Sequence, residues 1–315
     1  MVDPEQIAAA RQRIAGRVRR TPVLEIDAGT FPGPAWFKLE LHQHTGSFKA
    51  RGAFNRILAA RESGELVPAI GIVAASGGNA GLAHAFAASA LGVPATVFVP
   101  TTAPVVKVAK LRSLGAEVVQ TGTEYAEAYD AAIVHASTSG AVFCHAYDQP
   151  EIVAGAGTLA LDLIDEIPGG FDTVVVAVGG GGLLAGVAAG LDGVARVVGV
   201  EPVSVPTLSH ALAAGAPVDV AVSGIAADSL GARRIGEIAF EVARRTAVRS
   251  VLVSDDDLIA ARQVLWDHRR IAVEHGAAAA LAALTSQAYC PEPGERVVVV
   301  LCGANTDPSD LVGRA

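Results

Sequence analysis

Four short segments carry side chains able to do chemistry. In Thr45-Gly46-Ser47-Phe48-Lys49-Ala50-Arg51-Gly52, Lys49 follows a Gly-Ser turn and an aromatic residue and precedes an apolar helical stretch. A lysine partly withdrawn from water has a lowered pKa and becomes a usable nucleophile and base. Taken alone, Lys49 reads first as a solvated helix-start residue. In the second segment, Ser76, Gly77, Gly78, Asn79 and Ala80 lie between an expected strand and an expected helix. Backbone N–H groups at a helix N-terminus are free to hold an anion, although an ordinary tight turn is an equal reading. The third segment is Gly179, Gly180, Gly181 and Gly182, again at a strand-to-helix junction. Consecutive glycines there make a nest of N–H groups suited to phosphate. Neither loop meets Gly-x-Gly-x-x-Gly cleanly and no acid sits where a ribose would need one, which argues against a dinucleotide. The fourth is Leu301-Cys302-Gly303-Ala304-Asn305, after the last expected strand. Strand carboxyl ends are where open parallel sheets place ligands, but Cys302 alone reads as a buried structural thiol.

These segments need strands and helices to hold them, and the sequence supplies an alternation. Asp3 before Pro4, with Gln6 three residues after Asp3, starts a helix that runs to about residue 15. A strand over 36–40 and a helix over 51–62 follow. Strands are then expected over 71–75, 95–99 and 117–120, and helices over 80–91, 104–114 and 123–137. Beyond them come a helix over 158–167, a β-branched central strand over 173–178, a helix over 183–191 and a strand over 196–200. Helices over 255–269 and 277–287 precede a last buried strand over 296–301. Strands alternating with helices imply a parallel sheet. The fold class expected is α/β, as two interleaved three-layer domains with mostly parallel twisted sheets. Residues 1–45 and 146–315 would form the larger domain and 46–145 the smaller.

Composition narrows the function classes. In 315 residues, 51% are hydrophobic and 18% charged, a globular balance with room for real cores. The net charge of −8 comes without a basic face, so a nucleic-acid partner is not expected. Cys144, Cys290 and Cys302 show no paired metal spacing and no disulfide framework. This fits a reducing, cytoplasmic setting. The polar start from Met1 is not a signal peptide. Residues 173–191 carry no charge and approach the length of a membrane span, but four glycines sit in their middle. Each would weaken a helix by ~0.8–1 kcal/mol, so strand, loop and helix is the better reading and no membrane partner is expected.

Together the segments resemble the fold-type II pyridoxal-phosphate (PLP) enzymes, the tryptophan synthase β-subunit group, and within it the serine/threonine dehydratase branch. The resemblance covers nearly the whole chain. It rests on Arg20-Thr21-Pro22-Val23, the lysine segment from Thr45 to Ala53, Ser76-Gly77-Gly78-Asn79, and Asp148-Gln149-Pro150-Glu151 running on to Thr158. Gly199-Val200-Glu201-Pro202 and Val273-Glu274 also fall in order. The resemblance implies that Lys49 holds PLP as a Schiff base and that Gly179, Gly180, Gly181 and Gly182 bind its phosphate. Asn79 would touch the ring 3-hydroxyl, Phe48 would pack beside the ring, and Cys302 would face the pyridine nitrogen. Ser76, Gly77, Gly78, Asn79 and Ala80 would hold a substrate carboxylate. The implied reaction is α,β-elimination of L-threonine or L-serine to a 2-oxo acid and ammonia, with Lys49 as the Cα base. A neutral thiol opposite the pyridine nitrogen cannot enforce its protonation, which favours elimination over transamination. The expected assembly is a homodimer acting on a small amino acid.

The sequence also departs from that pattern. Serine racemases carry a second serine before the Gly-Asn pair; here the position is Gly77, without a side chain. The group's metal site uses a glutamate and an acid six residues later; Glu201 is present, but Thr207 stands at the second place. No metal is therefore expected, and Glu201 is a weak candidate. No regulatory domain follows Cys302, so feedback inhibition is not expected. The rival readings are racemisation or β-replacement on the same scaffold, a non-catalytic PLP-binding protein, and a Rossmann oxidoreductase.

Overall fold

The computed structural model describes residues 2–312. Its helices are α1 (Pro4–Arg13), α2 (Lys49–Glu62), α3 (Asn79–Ala90), α4 (Val105–Ser113), α5 (Tyr125–Ser139) and α6 (Pro150–Glu166). They continue with α7 (Gly182–Leu191), α8 (Thr207–Ala214), α9 (Ala227–Leu230), α10 (Glu237–Arg245), α11 (Asp255–Arg269) and α12 (His275–Thr285). The strands are β1 (Val23–Glu25), β2 (Ala35–Lys38), β3 (Ile72–Ala75), β4 (Ala95–Val99) and β5 (Glu117–Gln120). The rest are β6 (Val142–Cys144), β7 (Thr173–Ala177), β8 (Arg196–Pro202), β9 (Arg249–Val253) and β10 (Val297–Val300).

The strands form two sheets, one of six strands in the order β1-β2-β10-β7-β8-β9 and one of four in the order β5-β4-β3-β6. Among the described residues every strand pairing is parallel except β1 with β2. The α/β class with mostly parallel sheets is therefore as the sequence led us to expect. Strand alternation explains the layering of the smaller sheet. Ile72 and Ala74 of β3 join Val97 and Val99 in a core under α2, α3 and α4, while Val73 and Ala75 join Phe98 in a second core against Ala128 and Ala132 of α5. Successive strand residues point to opposite faces, so a sheet covered on both sides must be apolar throughout. β7, buried at all five positions, lies between β10 and β8 in the larger sheet.

The uncharged stretch 173–191 resolves into β7, a glycine turn and α7. Among the described residues no helix is long and apolar enough to cross a membrane. One boundary differs from expectation by two turns: α6 starts at Pro150 rather than near residue 158. Gly155 and Gly157 lower helix propensity and hid its first half. Their place is set by packing. A Cβ on Gly155 would lie 2.6 Å from the Arg51 carbonyl oxygen, and one on Gly157 would lie 2.7 Å from that of Gly186. A Cβ on Gly52 would lie 2.8 Å from the Ile152 carbonyl oxygen, and one on Gly186 2.5 Å from that of Val153. Thus α2, α6 and α7 meet backbone to backbone.

The start of α2 is tied down from the other side. Arg51, 1% exposed, grips Glu40 with Nε at 2.9 Å and Nη2 at 2.8 Å, and reaches Asp162 at 2.7 Å and Thr158 at 3.0 Å. A bidentate guanidinium–carboxylate pair fixes orientation as well as distance. The strand expected to run to Glu40 stops at Lys38, because Glu40 opens the 3₁₀ turn Glu40–His42 that carries its carboxylate to Arg51.

Candidate active site

Lys49 is the first residue of α2, half-buried, with Nζ donating to the Ala146 carbonyl at 2.7 Å and lying 5.0 Å over the Phe48 ring. Loss of hydration pulls its amine down to about 8, against the upward pull of Cys302 and Glu274. An ammonium is disfavoured where water is stripped away. The segment before it is pinned to the end of β10: Phe48 N–H donates to the Cys302 carbonyl at 3.1 Å, and Ser47 pairs with Gly303. The Ser47 hydroxyl is buried there without a hydrogen-bond partner. Cys302 is 5% exposed, and burial pushes its thiol well above the ordinary range, so it stays neutral.

Ala146 leads to the glycine loop through its neighbour. The Tyr147 ring lies against Gly180, where an added Cβ would come within 2.4 Å of the ring carbons. The same addition at Gly182 would meet the Tyr147 carbonyl oxygen at 2.7 Å, and at Gly179 the Leu230 backbone at 3.1 Å. Gly181 has φ +86°, a left-handed conformation, as the N-cap of α7. Each position thus rejects a side chain, and the first N–H groups of α7 have no partner within the helix. The loop is also held from behind, with Gly236 N–H donating to the Gly180 carbonyl at 3.0 Å and the Thr207 hydroxyl to the Gly179 carbonyl at 2.6 Å.

The third segment arrives from the smaller sheet. Ser76, Gly77 and Gly78 are half-buried in the turn between β3 and α3, and Asn79 is the first residue of α3. The Ser76 hydroxyl accepts from Gly78 N–H at 3.2 Å. A Cβ on Gly78 would meet nothing within 4 Å, and one on Gly77 only Val99 Cγ1 at 3.6 Å. The Asn79 amide nitrogen donates to both oxygens of Glu274, at 2.8 and 3.0 Å. Asn305 Nδ2 donates to Asn79 Oδ1 and to the Thr45 carbonyl, both at 2.7 Å. Glu274 acts electrostatically on Lys49 and on Cys302.

The structure therefore connects these segments: Phe48 to Cys302, Lys49 through Ala146 and Tyr147 to the 179–182 loop, and Gly303 to Asn79. Glu201 lies one residue behind the loop, its carboxylate 2.9 Å from the Thr207 hydroxyl that also meets the Gly179 carbonyl. Its buried carboxylate accepts from Leu208 and Ser209 N–H at 2.6 and 2.9 Å, at the start of α8. These bonds anchor the start of α8, which is the use of Glu201 that the contacts show. Among the described residues no group of three or more His, Cys, Asp or Glu could hold a metal. Sequence reading gave no role to Tyr147 or Glu274. The signal for the first was an aromatic residue beside Asp148 and Pro150 at a helix start; that for the second was an acid before the alanine run of α12.

The glycine cradle, an amine near 8 and a neutral thiol form a donor set that fits a phosphorylated pyridine aldehyde. Comparison with known proteins agrees: residues 14–303 match the family described as pyridoxal-phosphate dependent enzyme. The chain belongs to that family. It is 39% identical over 310 residues to the phenylserine dehydratase of Ralstonia pickettii, covering 97% of this chain and 94% of that one. It is 32% identical to the L-threonine ammonia-lyase of Thermotoga maritima, covering 98% and 76% respectively. Among solved structures, a T.th. threonine deaminase superposes with a TM-score of 0.88 at 33% identity, covering 97% of this chain and 99% of that one. Maize serine racemase superposes with a TM-score of 0.91 at 28% identity, covering 98% and 95%. In this PLP-dependent enzyme the uncharged stretch around 179–182 is strand β7, a glycine turn and helix α7.

Proposed function

We propose that this enzyme eliminates water and then ammonia from a small β-hydroxy amino acid, L-threonine and/or L-serine, to give a 2-oxo acid. The observation that carries the reading is the Lys49 amine, lowered to about 8 and held at 2.7 Å by the Ala146 carbonyl, between the glycine cradle and a neutral Cys302. The dehydratase and ammonia-lyase names of the relatives at 39% and 32% identity support it.

Lys49 would attach the cofactor, the 179–182 N–H groups would take its phosphate, Asn79 its ring hydroxyl and Cys302 its pyridine nitrogen, with Phe48 alongside. When bound, PLP supplies an electron-withdrawing ring conjugated to the substrate nitrogen, which acidifies the Cα–H bond. Ser76, Gly77, Gly78, Asn79 and Ala80 would hold the substrate carboxylate with the N-terminus of α3. Lys49, with its free amine lowered to about 8, would accept the Cα proton. Cys302 donates at most a weak hydrogen bond and imposes no charge. Gly77 offers no hydroxyl to return a proton to the opposite face, so elimination is favoured over racemisation.

In this reading residues 46–145 carry the carboxylate loop, and residues 1–45 and 146–315 carry the phosphate loop. The enzyme would work as a cytoplasmic homodimer, which sedimentation of the purified protein tests. The decisive experiment incubates it with L-threonine and L-serine, measures 2-oxo acid, and maps the pyridoxyl adduct after borohydride reduction by mass spectrometry. Product from either substrate with the adduct on Lys49 is expected. No product from both, or an adduct elsewhere, sinks the reading.

A further inference from the structure

A line of hydrogen bonds runs from the surface to the buried carboxylate of Glu274. Lys110 Nζ, on α4, donates to Asn305 Oδ1 at 2.7 Å. Asn305 Nδ2 donates to Asn79 Oδ1 at 2.7 Å, and Asn79 Nδ2 donates to Glu274 at 2.8 and 3.0 Å. Each amide in this line has its oxygen and nitrogen assigned by its neighbours. Lys110 can only donate, so it fixes the Asn305 oxygen. That turns Asn305 Nδ2 toward Asn79 and fixes the Asn79 oxygen in turn. Glu274 closes the line by accepting from the Asn79 nitrogen.

We propose that Glu274 is a positioning residue, a buried carboxylate that holds the Asn79 side chain in the one amide orientation the cofactor ring meets. With Glu274 ionised, a flipped Asn79 would set oxygen against carboxylate and nitrogen against the Asn305 nitrogen, two repulsive contacts. With Glu274 protonated, its own O–H could donate to a flipped Asn79 oxygen, and the preference weakens. The charge on Glu274 therefore governs how firmly Asn79 is set.

The surroundings place that charge change in an accessible range. Glu274 is 7% exposed, and burial raises its carboxyl to about 7. Asp228 of α9 raises it further; Asn79, the Asn305 N–H and Lys49 of α2 pull it down. Cys302, at the end of β10, faces it as a neutral thiol. His275, next to it on α12, is turned toward Arg262 at 2.9 Å and lies 4.0 Å from Asp310. The proposal rests on the assignment of Asn79 to the cofactor ring, and its test is chosen to fail separately from that assignment.

The sequence has only three asparagines, Asn55, Asn79 and Asn305, so selective ¹⁵N-asparagine labelling gives three side-chain NH₂ pairs. The Asn79 pair is identified by its loss in N79S. In the apoprotein we expect this pair to shift with a midpoint near pH 7 and to stay fixed across the same range in E274Q, whose amide oxygen still accepts. PLP is then titrated into wild type, E274Q and E274A and followed by fluorescence quenching. We expect E274A to bind about ten- to a hundredfold more weakly, the loss of a hydrogen bond to a charged group, and E274Q to restore most of that loss. Asn79 signals that titrate identically in wild type and E274Q would overturn the proposal, as would E274A affinity within twofold of wild type. Absence of PLP from Lys49 in the wild type would instead strike the function proposed above, leaving the apoprotein titration to judge Glu274.

Discussion

If the 179–182 loop holds the cofactor phosphate as proposed, replacing Gly180 by alanine should loosen that grip, by an amount its contacts set. The new methyl would lie 2.4–2.5 Å from the Tyr147 ring carbons, where carbon contacts normally sit at roughly 3.5–4.0 Å. The ring has little freedom to retreat. Its hydroxyl donates to the Arg234 carbonyl at 3.2 Å, and its edge packs on His145 with ring centres 4.7 Å apart and planes at 80°. Relief must come from loop and ring moving by about 1 Å between them, an overpacking cost of ~1–3 kcal/mol. If that cost falls on the bound geometry, PLP affinity drops about 5- to 150-fold. Gly180→Ala alone does not show that Tyr147 is responsible, so the assay is a double-mutant cycle. PLP is titrated into apoprotein of wild type, G180A, Y147A and G180A/Y147A, with melting curves to confirm folding. The alanine should cost little in the Y147A background, a coupling of about 1–3 kcal/mol. Equal losses in both backgrounds, or unchanged affinity in G180A, would refute the steric argument.

Three other outcomes are expected. Lys49 has a folded pKa of about 8 against 10.5, so its charge opposes folding in full below pH 8, and that cost fades between pH 8 and 10.5 and is gone above. K49M apoprotein should therefore exceed wild type by about 2–3 kcal/mol at pH 7, with the gap closing in alkali, as read by urea denaturation. Arg51→Ala leaves the buried Glu40 and partly buried Asp162 carboxylates uncompensated, a loss of about 3–5 kcal/mol. Taking about 2 cal/mol/K of unfolding entropy per residue over 315 residues, the melting temperature should fall by about 5–8 °C. Gly77→Ser has room, since its Cβ meets only Val99 at 3.6 Å. It should keep the wild-type melting temperature and begin to form D-serine from L-serine, which chiral chromatography would detect.

Much of the proposed chemistry was legible because it sits on residues whose type alone is informative. Lys49 after a glycine turn, four glycines before an apolar helix and a thiol at a strand end are local signals, and the fold brings them together. The strand over 95–99, the strand over 117–120 and the helix over 255–269 were readable to the residue because apolar runs, stops and caps agree there. What escaped notice depends on partners distant in sequence. β6 and β9 are short strands whose identity comes from pairing with β3 and β8. The first half of α6 was hidden by glycines whose purpose is contact with α2 and α7. Tyr147 and Glu274 carry only weak local signals; the one matters for what it leans on across 33 positions, the other for an amide 195 residues earlier.

The backbone contacts of α2, α6 and α7 act as a caliper. Lys49 stands at the leading end of α2 and Gly182 at the leading end of α7, with α6 clamped between them. Because main-chain atoms set the gauge, rotamer changes in the surrounding alanine-rich packing leave the spacing of Lys49 and the glycine turn, the two proposed anchors, untouched. A methyl at Gly52, Gly155, Gly157 or Gly186 would widen the jaws, and a ligand gripped at both ends would have to release one.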